Sequence, residues 1–136
     1  MRLEIVNPES LGAPKGWSHG VLAPRDGRLL FVAGMAGWSE GATGVPPDFV
    51  AQFAHALDQV LTVVREAGGE PTDVARMTVY VTDLDEYRAQ LQPLGEAWRE
   101  RFGRHYPAMA LLEVKGLVDG GARVEIEATA VIPGRT

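Results

Sequence analysis

The chain has 136 residues, of which 46% are hydrophobic, and a formal net charge of −5. This length supports one compact domain over residues 1–136, and the acidic charge disfavours a nucleic-acid partner because phosphate backbones are repelled. Cysteine is absent from the sequence, which excludes disulfides, thiolate catalysis and cysteine-ligated metal. No apolar run approaches the roughly 20 residues of a membrane span. The first residues also lack a signal-peptide pattern, so we expect a cytoplasmic protein without a membrane partner.

The first part of the chain is predicted to form short strands between proline and glycine turns. Residues 3–5 and 17–21 fit two short strands, and residues 29–33 fit a buried strand that follows a turn signal. We therefore expect residues 17–33 to form a hairpin. Residues 38–47 are rich in glycine and proline and are predicted to form a loop.

The clearest helix is predicted to begin after Asp48, a residue type that caps helix N-termini well. Gly68 and Gly69 are expected to end it, as glycines at helix C-termini do. Between these limits, large apolar residues recur at helical spacing and define one buried face: Phe49, Phe53, Leu57, Val60, Leu61 and Val64.

The second half of the chain is predicted to alternate between strands and one further helix. Residues 74–82 fit a strand, and residues 84–102 fit a helix that Pro93 should kink or divide, with Gly103 as its cap. Pro107 favours an extended entry to a strand that begins just after it.

The last strand is predicted over residues 122–132. Its apolar residues point to one side, and Glu125, Glu127 and Thr129 point to the other. The order of elements predicts an α+β fold in which two helices pack on one face of a mixed sheet. The small residues of the strand that starts at Ala108, with the apolar content, suggest that other subunits cover the second face.

An ordered series of short segments along nearly the whole chain carries a family resemblance. The segments are Asn7-Pro8, Gly16 to Val21, Phe31 to Gly34, Gln52, Glu66 to Gly69, Thr78 to Asp83, Tyr106 to Ala108, and Val124 to Val131. In this series the chain resembles the Rid/YjgF proteins, the reactive intermediate deaminases formerly labelled L-PSP endoribonucleases. The resemblance implies a homotrimer of chorismate-mutase-like subunits, with small-metabolite clefts between neighbours.

The chain departs from the active imine deaminases of that family at one motif. Those enzymes carry Pro-Ala-Arg-Ser, and their arginine holds the substrate carboxylate as a bidentate pair. This chain has Met109 in place of the arginine and Ala110 in place of the serine. A thioether cannot pair with a carboxylate, so 2-imino acid deaminase activity is expected to be weak or absent. Whether another arginine, such as Arg123, replaces the missing one stays open.

Glu125 is the candidate catalytic residue, because it matches the pocket glutamate of the family's final strand. The resemblance implies that it positions the attacking water or handles its proton, as a general base or acid. Alternation alone favours the alternative, in which Glu125 and Glu127 lie together on a solvated sheet face, and only the resemblance favours a pocket role.

Two further groups of residues are predicted to bind the substrate. Trp17 matches the family's cleft aromatic and could stack on a flat ligand, and Ser18 and His19 follow it. The alternative interpretation makes Trp17 a core or interface residue and His19 a structural histidine.

The second group makes the cleft more apolar than in the deaminases. Gly34 matches a glycine that lets ligand and backbone approach closely, and Met35 stands where the family often has glutamine. Met35, Met109, Ala110 and Leu111 are predicted to line the cleft, where methionine packs adaptably. The alternative is that these residues fill a decayed site.

No cofactor is predicted, and the spacing of the three histidines indicates no metal site. The first functional hypothesis is a deaminase-like hydrolase or tautomerase acting on an enamine, imine or enol-type metabolite. The second is a non-catalytic binding or regulatory module. The third is a ribonuclease, which the acidic charge disfavours.

Overall fold

The computed structural model describes residues 3–37 and 46–134. Near the start, strand β1 (Glu4–Val6) pairs antiparallel with β2 (Gly20–Leu22) in a small sheet. The predicted short strands are thus present, shifted by one to three residues, but the predicted hairpin over residues 17–33 is wrong. Strand β3 (Arg28–Met35) pairs with the last strand instead. Apolar periodicity marks a strand but does not identify its partner.

The main sheet has four strands in the order β3-β6-β4-β5. Strands β4 (Val74–Val81), β5 (Ala108–Glu113) and β6 (Val124–Ile132) occupy the predicted segments. The pairs β3–β6 and β6–β4 are antiparallel, whereas β4–β5 is parallel. A parallel pair needs a crossover connection, and the helical segment between β4 and β5 provides it.

Helix α1 (Phe49–Glu66) confirms the predicted start, face and end. The Asp48 carboxylate accepts a hydrogen bond from the amide of Ala51 at 2.9 Å. Gly68, just beyond the helix, has a φ of 90°, which favours glycine. The six apolar residues predicted to form its buried face are all buried.

The second predicted helix is divided, and the break lies before Pro93. Helix α2 (Leu84–Ala89) ends at Gln90, and helix α3 (Leu91–Phe102) begins at once. Pro93 falls in the first turn of α3, where an amide donor would have no partner within the helix, so its absence costs nothing. In a continuous helix, the Pro93 ring would clash with the carbonyl of Ala89, and the helix therefore breaks before it. Gly103 caps α3 as predicted, with a φ of 60°.

The helices pack on one side of the mixed sheet, which confirms the α+β class. Alternate residues of β4 and β6 face them and are fully buried, including Val79, Val81, Val124 and Ile126. Most of the loop predicted for residues 38–47 lies outside the described residues. Within the described ranges, none of the helices is both long and apolar enough to cross a membrane.

Candidate functional site

The strand register assigns each predicted site residue of the sheet to one of its two sides. Leu111, Val79, Ile126 and Met35 are cross-strand neighbours in one row on the helix side. We call the other side the open face. It carries Phe31, Tyr80, Leu112, Glu125 and Glu127, and Phe31 is 74% exposed.

On the open face, Glu125 lies directly against the backbone of Gly34. A Cβ added to Gly34 would come within 2.7 Å of Glu125 Oε2. The pairing of β3 with β6 is also irregular between Val32 and Met35, as at a β-bulge that re-aims a side chain. The absent side chain of Gly34 therefore creates the space that the Glu125 carboxylate occupies.

The two glutamates of β6 differ in their partners. Tyr80 donates a hydrogen bond from its hydroxyl to Glu127 Oε1. Glu125 is half-buried and makes no hydrogen bond or salt bridge with any residue in the described part of the chain. Of the two carboxylates, Glu125 is thus the one available to a ligand or a water molecule.

The two carboxylates of this face shift the pKa of the neighbouring Tyr80 phenol. Its hydrogen bond to Glu127 raises the pKa of the Tyr80 phenol, and burial and the charge of Glu127 raise the pKa further. A hydrogen bond with Thr78 lowers the pKa, and the charge of Glu125 adds a smaller increase. The phenol is therefore held in its neutral, donating form beside the carboxylates.

The segment Trp17 to His19 is fixed to the start of β5. The Ser18 amide donates to the Pro107 carbonyl at 3.0 Å, and the Ser18 hydroxyl donates to the Tyr106 carbonyl. Ser18 is buried, so its hydroxyl serves as an anchor for this segment.

The two rings beside Ser18 contact each other. Trp17 is 40% exposed and meets His19 edge-on, with ring centroids 4.8 Å apart. The His19 amide donates to the Asn7 side-chain oxygen at 2.7 Å. His19 Nδ1 is buried without a hydrogen-bond partner in the described residues, and an exposed indole beside it offers a stacking surface.

Met109 and Leu111 line a cavity of about 300 Å³ between the sheet and helices α2 and α3, which we call the helix pocket. This volume is at the lower end of those typical for small-molecule sites. Its other lining residues are Lys15, Gly16, Phe53, Val79, Tyr87, Leu91, Leu94, Gly95, Trp98, Arg99 and Tyr106.

An aromatic stack forms one wall of the helix pocket. Trp98 stacks on Phe102, with centroids 4.2 Å apart, and lies nearly parallel to Tyr106 at 6.1 Å. The Trp98 indole donates to the carbonyl of His105 at 3.2 Å, which fixes the ring. Burial raises the pKa of the Tyr87 phenol, so Tyr87 contributes a neutral hydroxyl to the lining.

Arg123, which the sequence left open as a substitute for an arginine at position 109, is engaged elsewhere in this subunit. Its guanidinium forms a salt bridge with Glu86 at 2.8 Å and donates to the carbonyl of Pro47 at 2.9 Å. Arg123 is also absent from the lining of the helix pocket. The cations that do line it are Lys15 and Arg99.

The structure therefore separates the predicted site residues into three places. Glu125 touches Gly34 on the open face, where Ala110 is also exposed. Met109 and Leu111 line the helix pocket, and Met35 packs against the core without lining that pocket. Trp17, Ser18 and His19 form the third group, next in sequence to the pocket residues Lys15 and Gly16.

Sequence reasoning missed most of the helix pocket. It selected none of Lys15, Tyr87 and Arg99 as site residues. One available signal was Gly95, a glycine inside a helix that precedes Arg99 by one turn. Among the described residues, no three His, Asp or Glu side chains are grouped as metal ligands.

Comparison with known proteins adds family information to this geometry. The family described as Endoribonuclease L-PSP matches residues 8–132. A RutC family protein of Haemophilus influenzae is 31% identical over 132 residues, which are 96% of this chain and 98% of that protein. The 2-iminobutanoate/2-iminopropanoate deaminase of Escherichia coli K12 is 31% identical over 105 residues, 77% of this chain and 80% of that enzyme.

A solved structure resembles the whole fold. YyfB from Yersinia pestis, a protein of the conserved Rid family, aligns with a TM-score of 0.83 at 31% identity. The alignment covers 97% of this chain and 100% of that one. Sequence and structure comparisons therefore point to the same group of proteins.

Proposed function

Because the chain belongs to the endoribonuclease L-PSP family, which includes the Rid and YjgF proteins, we propose that it is a cytoplasmic small-molecule enzyme of the imine-deaminase type. It hydrolyses or tautomerises an enamine, imine or enol. The observation that carries this proposal is the Glu125 carboxylate, which is half-buried against Gly34 and has no partner among the described residues. A general base needs such a free, positioned carboxylate.

In the proposed hydrolysis, Glu125 moves protons between water and the substrate nitrogen. The carboxylate accepts a proton from water, the resulting hydroxide adds to the imine carbon, and Glu125 passes the proton to the nitrogen. Glu125 then transfers the hydroxyl proton of this addition product to the nitrogen as the carbon–nitrogen bond breaks. Ammonia leaves, the carbon becomes a carbonyl, and the carboxylate is regenerated. An enamine enters the same sequence after it tautomerises to the imine, a step in which the β-carbon gains one proton and the nitrogen loses one.

The proposed active site is a cleft between subunits of a homotrimer. Glu125 and the helix pocket lie on opposite sides of the sheet in one subunit, so a second copy is needed to bring such surfaces together. Large apolar side chains on the open face support this assembly, since Phe31 is 74% exposed and Leu29 is 63% exposed. A sheet face with such side chains is typical of an interaction surface.

Met109 is expected to determine which substrates this site binds weakly. It lines the helix pocket with Leu111 and aromatic residues and offers no positive charge. Loss of a bidentate charged contact typically costs a few kcal/mol, hence roughly a hundredfold in kcat/KM. We therefore expect little activity on short 2-imino acids.

The test is ammonia release from freshly generated 2-iminobutanoate by wild type, Met109→Arg and Met109→Gln. We expect wild type to be nearly inactive and Met109→Arg to gain roughly a hundredfold in kcat/KM. Met109→Gln is the matched control, because it adds polarity without charge and should gain nothing. Wild-type turnover equal to that of arginine-bearing relatives would show that Met109 does not limit the substrate range.

One observation favours a second candidate, a non-catalytic binding module. Among the residues that the structure describes in one subunit, no carboxylate lines the helix pocket, and Tyr87 contributes a neutral hydroxyl to it. The variant Glu125→Gln separates the two candidates. An enzyme loses rate while it keeps its affinity for ligand, whereas a binding module has no turnover to lose.

A further inference from the structure

The helix pocket changes character from its floor to its rim. Its floor is buried and apolar, formed by Phe53, Val79 and Leu94, each at most 5% exposed. Its rim carries Lys15 and Arg99, which are both exposed. A ligand that matches this gradient has an apolar body and one anionic end.

Both rim cations are free of salt bridges in the part of the chain that the structure describes. Two other arginines of this acidic chain are engaged, since Arg101 pairs with Asp58 at 2.7 Å and Arg123 pairs with Glu86. Two unpaired cations at the mouth of one apolar cavity attract anions to it.

Gly95 positions the Arg99 guanidinium. A Cβ at Gly95 would lie 3.1 Å from Arg99 Nη1 and 3.8 Å from its Cζ, so the guanidinium folds back over the glycine. A glycine inside a helix destabilises it relative to alanine. Here the missing side chain makes room for a planar, bidentate donor on the pocket wall.

We propose that the helix pocket binds a small monocarboxylate with an aromatic or aliphatic body. Its carboxylate lies at the rim against Arg99 and Lys15, and its body lies against Trp98, Met109 and Leu111. The proposal rests on the proposed function in so far as this pocket holds the substrate, and it specifies the substrate class. The carboxylate is remote from Met109, so the preferred substrates are longer than 2-iminobutanoate.

The test uses isothermal titration calorimetry with 3-phenylpropanoate and its neutral analogue, 3-phenylpropanamide. We expect wild type to bind the acid more tightly than the amide. Arg99→Gln and Lys15→Gln should each weaken binding of the acid by about three- to tenfold, a range set by charged hydrogen bonds at a solvent-exposed rim. Binding of the amide should not change. Arg104→Gln is the matched control, since it removes an exposed arginine that does not line the pocket.

Gly95→Ala tests the geometry without removing a charge. It should unfold at a temperature equal to or above that of wild type, and it should weaken binding of 3-phenylpropanoate by less than Arg99→Gln does, because its Cβ shifts the guanidinium only by a few tenths of an ångström. The affinity of wild type should also rise by roughly two- to fourfold per methylene from butanoate to hexanoate as apolar area is buried. No gain in affinity with chain length would contradict the proposed pose.

The failure of this proposal is distinguishable from failure of the proposed function. Equal affinity for the acid and the amide, or no measurable binding of the acid, overturns the proposal even if the protein releases ammonia from imines. Binding of the acid that depends on Arg99, without turnover in wild type or Met109→Arg, supports the proposal and contradicts the enzymatic function.

Discussion

The two sides of the main sheet carry different parts of the candidate site. The helix pocket is built from the hydrophobic core itself, since Phe53, Leu94 and Trp98 serve both the fold and the cavity wall. The open face instead carries Glu125 and Glu127 beside exposed Phe31. Shape and apolar contact therefore reside on one side of the sheet, and the two carboxylates reside on the other.

This separation explains why one subunit is a poor guide to the complete site. A side chain on one face of a strand cannot reach the other face, because successive residues alternate. Met109 and Glu125 thus meet a common ligand only if a second copy contributes one of them. Substitutions that alter one face of the sheet and leave the other face unchanged can test this separation.

The largest expected effect comes from Glu125→Gln on the open face. The change is made in wild type if wild type releases ammonia from an imine, and otherwise in Met109→Arg. It should lower kcat by roughly 10²- to 10⁴-fold, the usual contribution of general acid–base catalysis. Its isosteric amide keeps the contact with Gly34, so ligand affinity should change little. Single-turnover kinetics and calorimetry measure the two quantities separately.

Glu127→Gln is the matched control for this experiment. Glu127 lies two residues away on the same strand, but its carboxylate is engaged by Tyr80. We expect a much smaller loss of kcat in this variant. If Glu127→Gln lost as much rate as Glu125→Gln, the assignment of the base to Glu125 would fail.

The next largest effect should be on stability, and it should be confined to the helix side. Trp98 is 6% exposed, and Trp98→Ala should lower the free energy of unfolding by roughly 3–5 kcal/mol through lost packing. Where the chain is monomeric, Phe31→Ala should lower the free energy of unfolding by no more than about 0.5 kcal/mol, as at other exposed sites. Where copies associate, the loss should be larger.

Denaturant unfolding at several protein concentrations measures this contrast. The cost of Trp98→Ala should not depend on concentration, whereas that of Phe31→Ala should grow with it. An equal cost for both variants in dilute protein would mean that Phe31 belongs to the subunit core.

Local chemistry made much of the fold predictable. Asp48 and Gly68 bound α1 because capping acts within a few residues. The alternation of Val124 to Thr129 placed Glu125 on the correct strand and opposite the core. The partner of β2 was mispredicted, because strand pairing depends on contacts distant in sequence. The division of the second helix was predictable, because Pro93 cannot continue a helix that begins before it.

The candidate site was less predictable than the fold. The resemblance selected Met109 and Leu111, which line one cavity, and Glu125, which lies on the opposite face of the same subunit. It implied a cleft between neighbouring subunits, and that grouping stays a prediction. Lys15 and Arg99 come from a loop and a helix that are far apart in sequence, and only the folded chain places both at one rim. Helical spacing could have linked Gly95 to Arg99, but it could not have placed Lys15 beside them.

The smallest expected effect concerns the titration of Tyr80, which reports on the carboxylates of the open face. The hydrogen bond to Glu127 raises the pKa of the Tyr80 phenol above the ordinary value of 10.0. Glu127→Gln should therefore lower the pH at which Tyr80 ionises, measured by tyrosinate absorbance with Tyr80→Phe to identify its signal. Tyr87 is the internal control, because burial raises its pKa and should do so in both proteins.

The same hydrogen bond makes stability depend on pH. Because the pKa of Tyr80 is raised in the folded state, the stability from its hydrogen bond to Glu127 is fully present below pH 10 and is lost as the pH rises through the folded pKa. Wild type should therefore lose its advantage over Tyr80→Phe in that alkaline range, and an advantage that instead grew with pH would show that Glu127 does not hold the phenol neutral.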